Sequence, residues 1–278
     1  MPFDLVIQGG RLHDAQIEAV ARLCKAADCR RLGPGAARLS GADRSTDIGG
    51  TCADLELDHA FVPAQAHLAD FGLVAMDMDS TLITIECIDE LADLAGIKAQ
   101  VAHITASAMR GEIDFSESLT RRVALLAGLP ESALHHIWDE RLALSPGAER
   151  MIDGLKAHGI KTLLVSGGFA FFTGRLKARL GLDYAVANQP EIAGGRLTGR
   201  IVGQILDAQG KAENLSRVRD ALGLLPRQVI AIGDGANDLA MIAEAGVSVA
   251  YHASPMVQRN ATYRFDHVGL DGLLHLFL

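Results

Sequence analysis

Cysteine is scarce in this 278-residue chain, which carries only Cys24, Cys29, Cys52 and Cys87. Their irregular spacing fits neither a disulfide framework nor a zinc site, and Cys24-x4-Cys29 reads as two reduced thiols around a helix end. Long apolar runs are absent too: none approaches the roughly 18–20 residues that span a bilayer. The opening Met-Pro-Phe-Asp-Leu-Val-Ile-Gln-Gly-Gly lacks the basic segment of a secretory signal, so a cytoplasmic protein is expected. There is no surplus of positive charge. The net charge of −8 argues against a general nucleic-acid surface and obliges any anionic substrate to find specific local cations. Internal repeats and low-complexity segments are missing.

What is present is core. Hydrophobic residues make up 49% of the chain, enough for a sizeable core, and the length suits one large domain or two smaller ones. Residues 1–70 read as a small α/β unit: a strand over 4–8, a helix from Asp14 to Ala26, a break at Gly33-Pro34-Gly35, a short strand at Leu55 and Leu57, and a linking helix from Ala64 to Ala69. The bland reading of this unit is a packing or homodimerisation appendage. Residues 86–144 read as four helices, on the spacing of Ile88, Leu91, Ala92 and Ala95, then Val101, Ile104, Thr105 and Ala108. A capping box from Asp114 to Glu117 opens the third, and Leu134, Ile137, Trp138 and Leu142 mark the fourth. From Ser145-Pro146-Gly147 onward, strands and helices alternate, with a hairpin at Gly194-Gly195. That order predicts an α/β fold: a doubly wound parallel sheet from residues 71–85 and 145–278, with the helices inserted as a cap.

The chemistry gathers where apolar strands end. Leu73-Val-Ala-Met76 suits a strand buried on both faces, and it stops at Asp77 and Asp79, which share one side of an extended chain. Ligands of such sheets collect beyond the carboxyl ends of the strands. Two carboxylates this close call for a cation, and a hard divalent ion such as Mg2+ suits oxygen ligands. Asp77 is then placed as a nucleophile toward phosphorus and Asp79 for proton transfer. The plainer reading is a polar turn with Asp79 or Ser80 as a cap.

Further strand ends deliver Ser166-Gly167-Gly168 and Gly233-Asp234-Gly235-Ala-Asn237-Asp238. Ser166 offers a hydroxyl and its glycines offer backbone amides; Asp234 is a third carboxylate for a cation, while Asn237 and Asp238 also read as helix caps. Lys211 stands at the start of a helix, the end where a cation is normally disfavoured, and reads plainly as a solvated lysine. Arg122 sits among Leu119, Val123 and Leu126, and spacing alone leaves open a carboxylate clamp or a stem lying along the apolar face. Glu86 suits an ammonium group or, more plainly, the first turn of a helix.

Asp77-x-Asp-Ser-Thr resembles the first motif of the haloacid dehalogenase-like phosphatases. With Ile83-Thr-Ile-Glu-Cys-Ile-Asp-Glu-Leu-Ala92 and the cap's Met-Arg-Gly-Glu-x-Asp-Phe segment, residues 71–267 resemble the bacterial phosphoserine phosphatases. The resemblance implies a Rossmann-like core of the haloacid dehalogenase type and a shortened ACT-like unit ahead of it. It implies Mg2+ held by Asp77, Asp234 and the backbone carbonyl of Asp79. Asp77 and Asp79 would be catalytic, and Ser166, Gly167, Lys211 and Asn237 would stabilise the phosphoryl group. Glu86, Met109, Phe115 and Arg122 would grip L-phosphoserine. Met78 stands where many relatives have phenylalanine. The expected activity is Mg2+-dependent hydrolysis of L-phosphoserine through an aspartyl phosphate, the last step of L-serine biosynthesis. A phosphotransferase to an alcohol such as homoserine, a phosphatase for another small ester and a serine-sensing protein are the rivals.

Overall fold

The computed structural model describes residues 2–277. Its first sheet is antiparallel, with strands β1 (Phe3–Gln8), β2 (Asp28–Gly33), β3 (Ala36–Ser40) and β4 (Asp58–Pro63) in the order β2-β3-β1-β4. Helices Asp14–Leu23 and Gly49–Asp54 connect β1 to β2 and β3 to β4, a split β-α-β-β-α-β arrangement. Strand alternation divides its side chains. Leu5 and Ile7 join Ile17 and Val20 in a local cluster, whereas Val6, Ala60 and Val62 join the main core with Phe265 and Phe277. Asp58 completes the seam by accepting the backbone N–H groups of Asp266, His267 and Val268 at 2.8, 2.9 and 3.0 Å.

Three local expectations change here. Gly33-Pro34-Gly35 lies at the turn of a β2–β3 hairpin; β2 (Asp-Cys-Arg-Arg-Leu-Gly) is a mostly exposed, charged edge strand, so it lacks the apolar alternation that announces a strand. Leu55 caps the helix Gly49–Asp54 and β4 starts only at Asp58. The linking helix shrinks to the single turn Leu68–Asp70.

The second sheet has seven strands: β5 (Leu73–Met76), β6 (Lys161–Phe169), β7 (Tyr184–Ala193), β8 (Arg196–Val202), β9 (Val229–Gly233), β10 (Val247–Tyr251) and β11 (Tyr263–Phe265). The order is β11-β10-β9-β5-β6-β7-β8, parallel throughout except for β8. The sheet is therefore mixed, with the Gly194-Gly195 hairpin supplying its antiparallel edge. All four residues of β5 are fully buried. From β5 the chain builds outward to β6 on one side and later to β9 on the other, which makes the end of β5 the topological switch point.

Between β5 and β6 runs the helical cap: Cys87–Leu94, Lys98–Met109, Phe115–Leu125 and the short Ser132–His136, which continues into a wide turn over Ile137–Arg141. Asp114 caps the third helix by accepting the Glu117 N–H at 2.7 Å. Just beyond its C-terminus that helix is tied to the sheet edge, where Gly128 N donates to Leu197 O at 2.8 Å and Leu197 N to Leu129 O at 2.9 Å. The second helix is held more lightly and buries only Val101. All four cysteines are free thiols. Among the described residues, no helix is long and apolar enough to cross a membrane.

Candidate active site

The ends of β5, β6 and β9 meet at the switch point. Asp77 extends β5 by donating its N–H to Ile232 O at 3.1 Å, and the chain then folds into a wide turn over Met78–Leu82. Ser80 adopts φ +55° in that turn, a left-handed conformation that is unfavourable for a residue with a side chain. It is held there by its N–H bond to Ile85 O and by its hydroxyl, which donates to Glu86 Oε1 at 2.7 Å. Asp79 accepts the Cys87 N–H at 3.0 Å on one oxygen and the Ser166 hydroxyl at 3.4 Å on the other. A Cβ on Gly168 would stand 2.8 Å from Asp79 Oδ2 and 3.1 Å from Ser166 Oγ, so glycine is needed for this approach.

Lys211 is fully buried and donates to Asp77 Oδ1 at 2.6 Å and to Asp238 Oδ1 at 2.8 Å. Its helix, Ala208–Ala221, opens on Asp207, which accepts the Gly210 N–H at 2.9 Å. Asp238 folds back under β9 and accepts the N–H groups of Asp234 and Gly235, each at 3.1 Å. A Cβ on Gly233 would lie 2.5 Å from the Asp238 carboxyl carbon. The Gly-Asp-Gly turn thus makes room for the carboxylate that anchors Lys211.

Electrostatics follow from burial. Desolvation, reinforced by the charge of Asp238, pushes the Asp77 carboxyl well above the usual range, while Lys211 pulls the other way. Asp79 is raised too, again chiefly by desolvation. Asp234 is pushed up to about 6 by desolvation and then Asp238. For Lys211 burial works against the charge, yet Asp238 and Asp77 outweigh it and hold the ammonium protonated.

Asp77, Asp234 and Asp238 have oxygens within 4.8 Å of one another, a group able to coordinate a divalent cation. Their hydrogen bonds narrow the ligand set. Both Asp238 oxygens are engaged by Lys211 and the backbone, and Asp77 Oδ1 by Lys211. Asp234 Oδ1 accepts the Thr81 hydroxyl at 2.9 Å. Among the described residues, the second oxygens of Asp77 and Asp234 accept no hydrogen bond, and three carboxylates face one ammonium. The residues fit a hard cation.

At the cap side, Glu86 is exposed at the crevice mouth, yet its carboxyl is pushed up to about 8, first by desolvation and then by the charge of Asp79. Arg122 is half-buried; its Nε is shielded from solvent and has no hydrogen-bond partner among the described residues. Desolvation lowers it, against the opposing charges of Asp89, Glu86 and Asp79. Phe115 reaches the β6 loop: a Cβ on Gly167 would lie 2.6 Å from its ring. Asn237 folds over Gly235 in the β9 turn, its Oδ1 2.3 Å from where a Cβ would be. Met109, by contrast, is 85% exposed at the end of its helix and is not packed into the crevice.

Residues 71–246 match the haloacid dehalogenase-like hydrolase family. The chain is 53% identical over 214 residues to the phosphoserine phosphatase of Polaromonas sp., covering 75% of this chain and 91% of that protein. A probable phosphoserine phosphatase from Vibrio cholerae, solved without ligand, superposes with a TM-score of 0.87 at 38% identity, covering 99% of this chain and 86% of the other. A structure described as a phospho-aspartyl intermediate analogue of phosphoserine phosphatase matches with a TM-score of 0.70 at 36% identity, over 75% of this chain and 99% of its own. Strand order, carboxylate cluster and sequence agree: the chain belongs to the haloacid dehalogenase-like hydrolases and, within them, to the phosphoserine phosphatase family.

Proposed function

We propose that this protein hydrolyses L-phosphoserine to L-serine and phosphate, with Mg2+ as its cation. The observation that carries the reading is Lys211, buried between Asp77 and Asp238 at the switch point, with Asp79 beside it. Asp77 attacks phosphorus, a P–O bond to Asp77 forms, and the P–O bond to the serine oxygen breaks. Asp79 gives its proton to that oxygen, a role suited to a carboxyl whose burial favours the protonated form. Asp79 then takes a proton from water, whose oxygen attacks phosphorus and releases Asp77.

Lys211, the Ser166 hydroxyl and the Gly167 amide stabilise the phosphoryl oxygens, and Asn237 orients its neighbours. Asp77, Asp234 and the backbone carbonyl of Asp79 would hold Mg2+, which supplies charge neutralisation at the phosphoryl group. Arg122 takes the substrate carboxylate and Glu86 its ammonium group, with Phe115 as an apolar wall and Met109 brought in when the cap closes. Phosphate release from L-phosphoserine, with Mg2+ and with EDTA, beside phosphothreonine and a sugar phosphate, tests this. Metal-dependent release favouring phosphoserine is expected; release favouring another ester would remove Glu86 and Arg122 from substrate selection.

A further inference from the structure

β7 lends the strand ends no residue named so far, yet one of its side chains touches two of the segments that build the site. Asn188 is 2% exposed. Its Nδ2 donates to Gly167 O at 2.8 Å and reaches Leu206 O at 3.4 Å, and its Oδ1 accepts the Leu206 N–H at 2.7 Å.

The β6–β7 ladder explains the need for it. Ser166 pairs with Ala187 and Phe169 with Asn188, so Gly167 and Gly168 have no residues opposite them. The bulge leaves the part-buried Gly167 carbonyl without a ladder partner, and the Asn188 amide supplies one. The same peptide is held at its other end, since Gly168 N donates to Ser166 Oγ at 2.9 Å. With that oxygen accepting, the Ser166 proton is free to point toward Asp79 Oδ2, 3.4 Å away, or toward a phosphoryl oxygen. On its other side, Asn188 holds both backbone groups of Leu206. The next residue, Asp207, caps the helix that carries Lys211.

We infer that Asn188 is a positioning residue for phosphoryl transfer, setting the Ser166–Gly167 loop and the Lys211 helix at the spacing at which both meet one phosphoryl group. The inference rests on the proposed function for the identity of that group.

Asn188→Asp keeps an acceptor for the Leu206 N–H but replaces the donor to Gly167 O with a second acceptor. Asn188→Ser keeps a shorter donor. Assayed with Mg2+, the Asp variant should lose kcat by about 10²-fold on both phosphoserine and p-nitrophenyl phosphate. The ratio between the two esters should stay at the wild-type value, orthovanadate should inhibit more weakly, and the Ser variant should lie between. A folded Asp variant with wild-type kcat would overturn the inference, as would a loss confined to phosphoserine. Failure of both variants to fold would also overturn it, assigning Asn188 to the fold alone. If the wild type turned over neither ester, the proposed function would fall instead, and calorimetric vanadate binding to wild type and variants would still decide the role of Asn188.

Discussion

Lys211 and Arg122 are the two cations assigned to the crevice, and they are held on opposite terms. Lys211 is fully buried and bridges two carboxylates at 2.6 and 2.8 Å. Arg122 is only half-buried, and its Nε, though shielded from solvent, has no partner among the described residues. The phosphoryl end is thus assembled before any substrate arrives, which is what electrostatic stabilisation of a developing charge requires. The selecting end is left unsatisfied. An orphaned buried donor costs about 1–3 kcal/mol, and a substrate carboxylate would relieve that cost where an ester lacking one would not. Preorganisation at one end serves rate; incompleteness at the other serves choice.

The contrast breaks most severely if the completed end is opened. Lys211→Met should lower kcat on every phosphate ester by at least about 10²–10³-fold and should destabilise the fold, because Asp77 and Asp238 would keep buried charge without a partner. Steady-state kinetics on two esters, beside thermal denaturation, checks this; unequal losses on the two would contradict a purely phosphoryl role. Arg122→Ala sharpens the contrast from the other side. It should reduce kcat/KM for phosphoserine by about 10–10²-fold relative to p-nitrophenyl phosphate, in line with a lost bidentate charge contact, and equal losses would end its selecting role.

The smallest effect concerns pH. Asp77, Asp79, Asp234 and Glu86 all stand above their ordinary values, Asp234 at about 6 and Glu86 at about 8. Groups raised in the folded state contribute stability that is complete below their unfolded values and is lost as pH rises through their folded ones. His59 and His275 are lowered from 6.5 by burial and act in the opposite sense, at lower pH. Metal-free protein should therefore lose Tm between pH 6.5 and 8.5, at about 2–4 °C per kcal/mol. Mg2+ should raise Tm more at pH 8.5 than at pH 6.5. A Tm rise from Mg2+ that is independent of pH, measured by scanning calorimetry, would detach the cation from these carboxylates.

How legible the site is depends on how each residue reaches it. Asp77, Ser166 and Asp234 stand at or just beyond the ends of buried strands, so apolar runs ending in polar residues announce them. Asp238 reads as a helix cap because its function depends on folding back beneath Gly233; the available signal was a carboxylate four residues after Asp234 across a Gly-Asp-Gly turn. Asn188 gives no signal of its own, since its work arises from a bulge in the neighbouring strand. Met109 is placed by its motif, but a motif carries no information on how far a cap helix stands from the core. In the second sheet, strands buried on two faces are plain, whereas three-residue β11 and, in the first sheet, charged β2 and the Ala-Ala-Arg-Leu-Ser of β3 lack the length or the apolar pattern to declare themselves.

The seam between the two sheets bears on how the molecule comes into being. Asp58 waits for the amides of residues 266–268, Leu68 N donates to Phe277 O at 2.7 Å, and Gln8 lies 2.9 Å from the His275 ring. Partners more than 200 residues apart close last and slowly, because the loop between them must be ordered first. During synthesis the first sheet is therefore made with one apolar face uncovered, Val6, Ala60 and Val62 among it, until the segment at 265–277 has left the ribosome. Residues 265–277 are then the latch that ends the exposure.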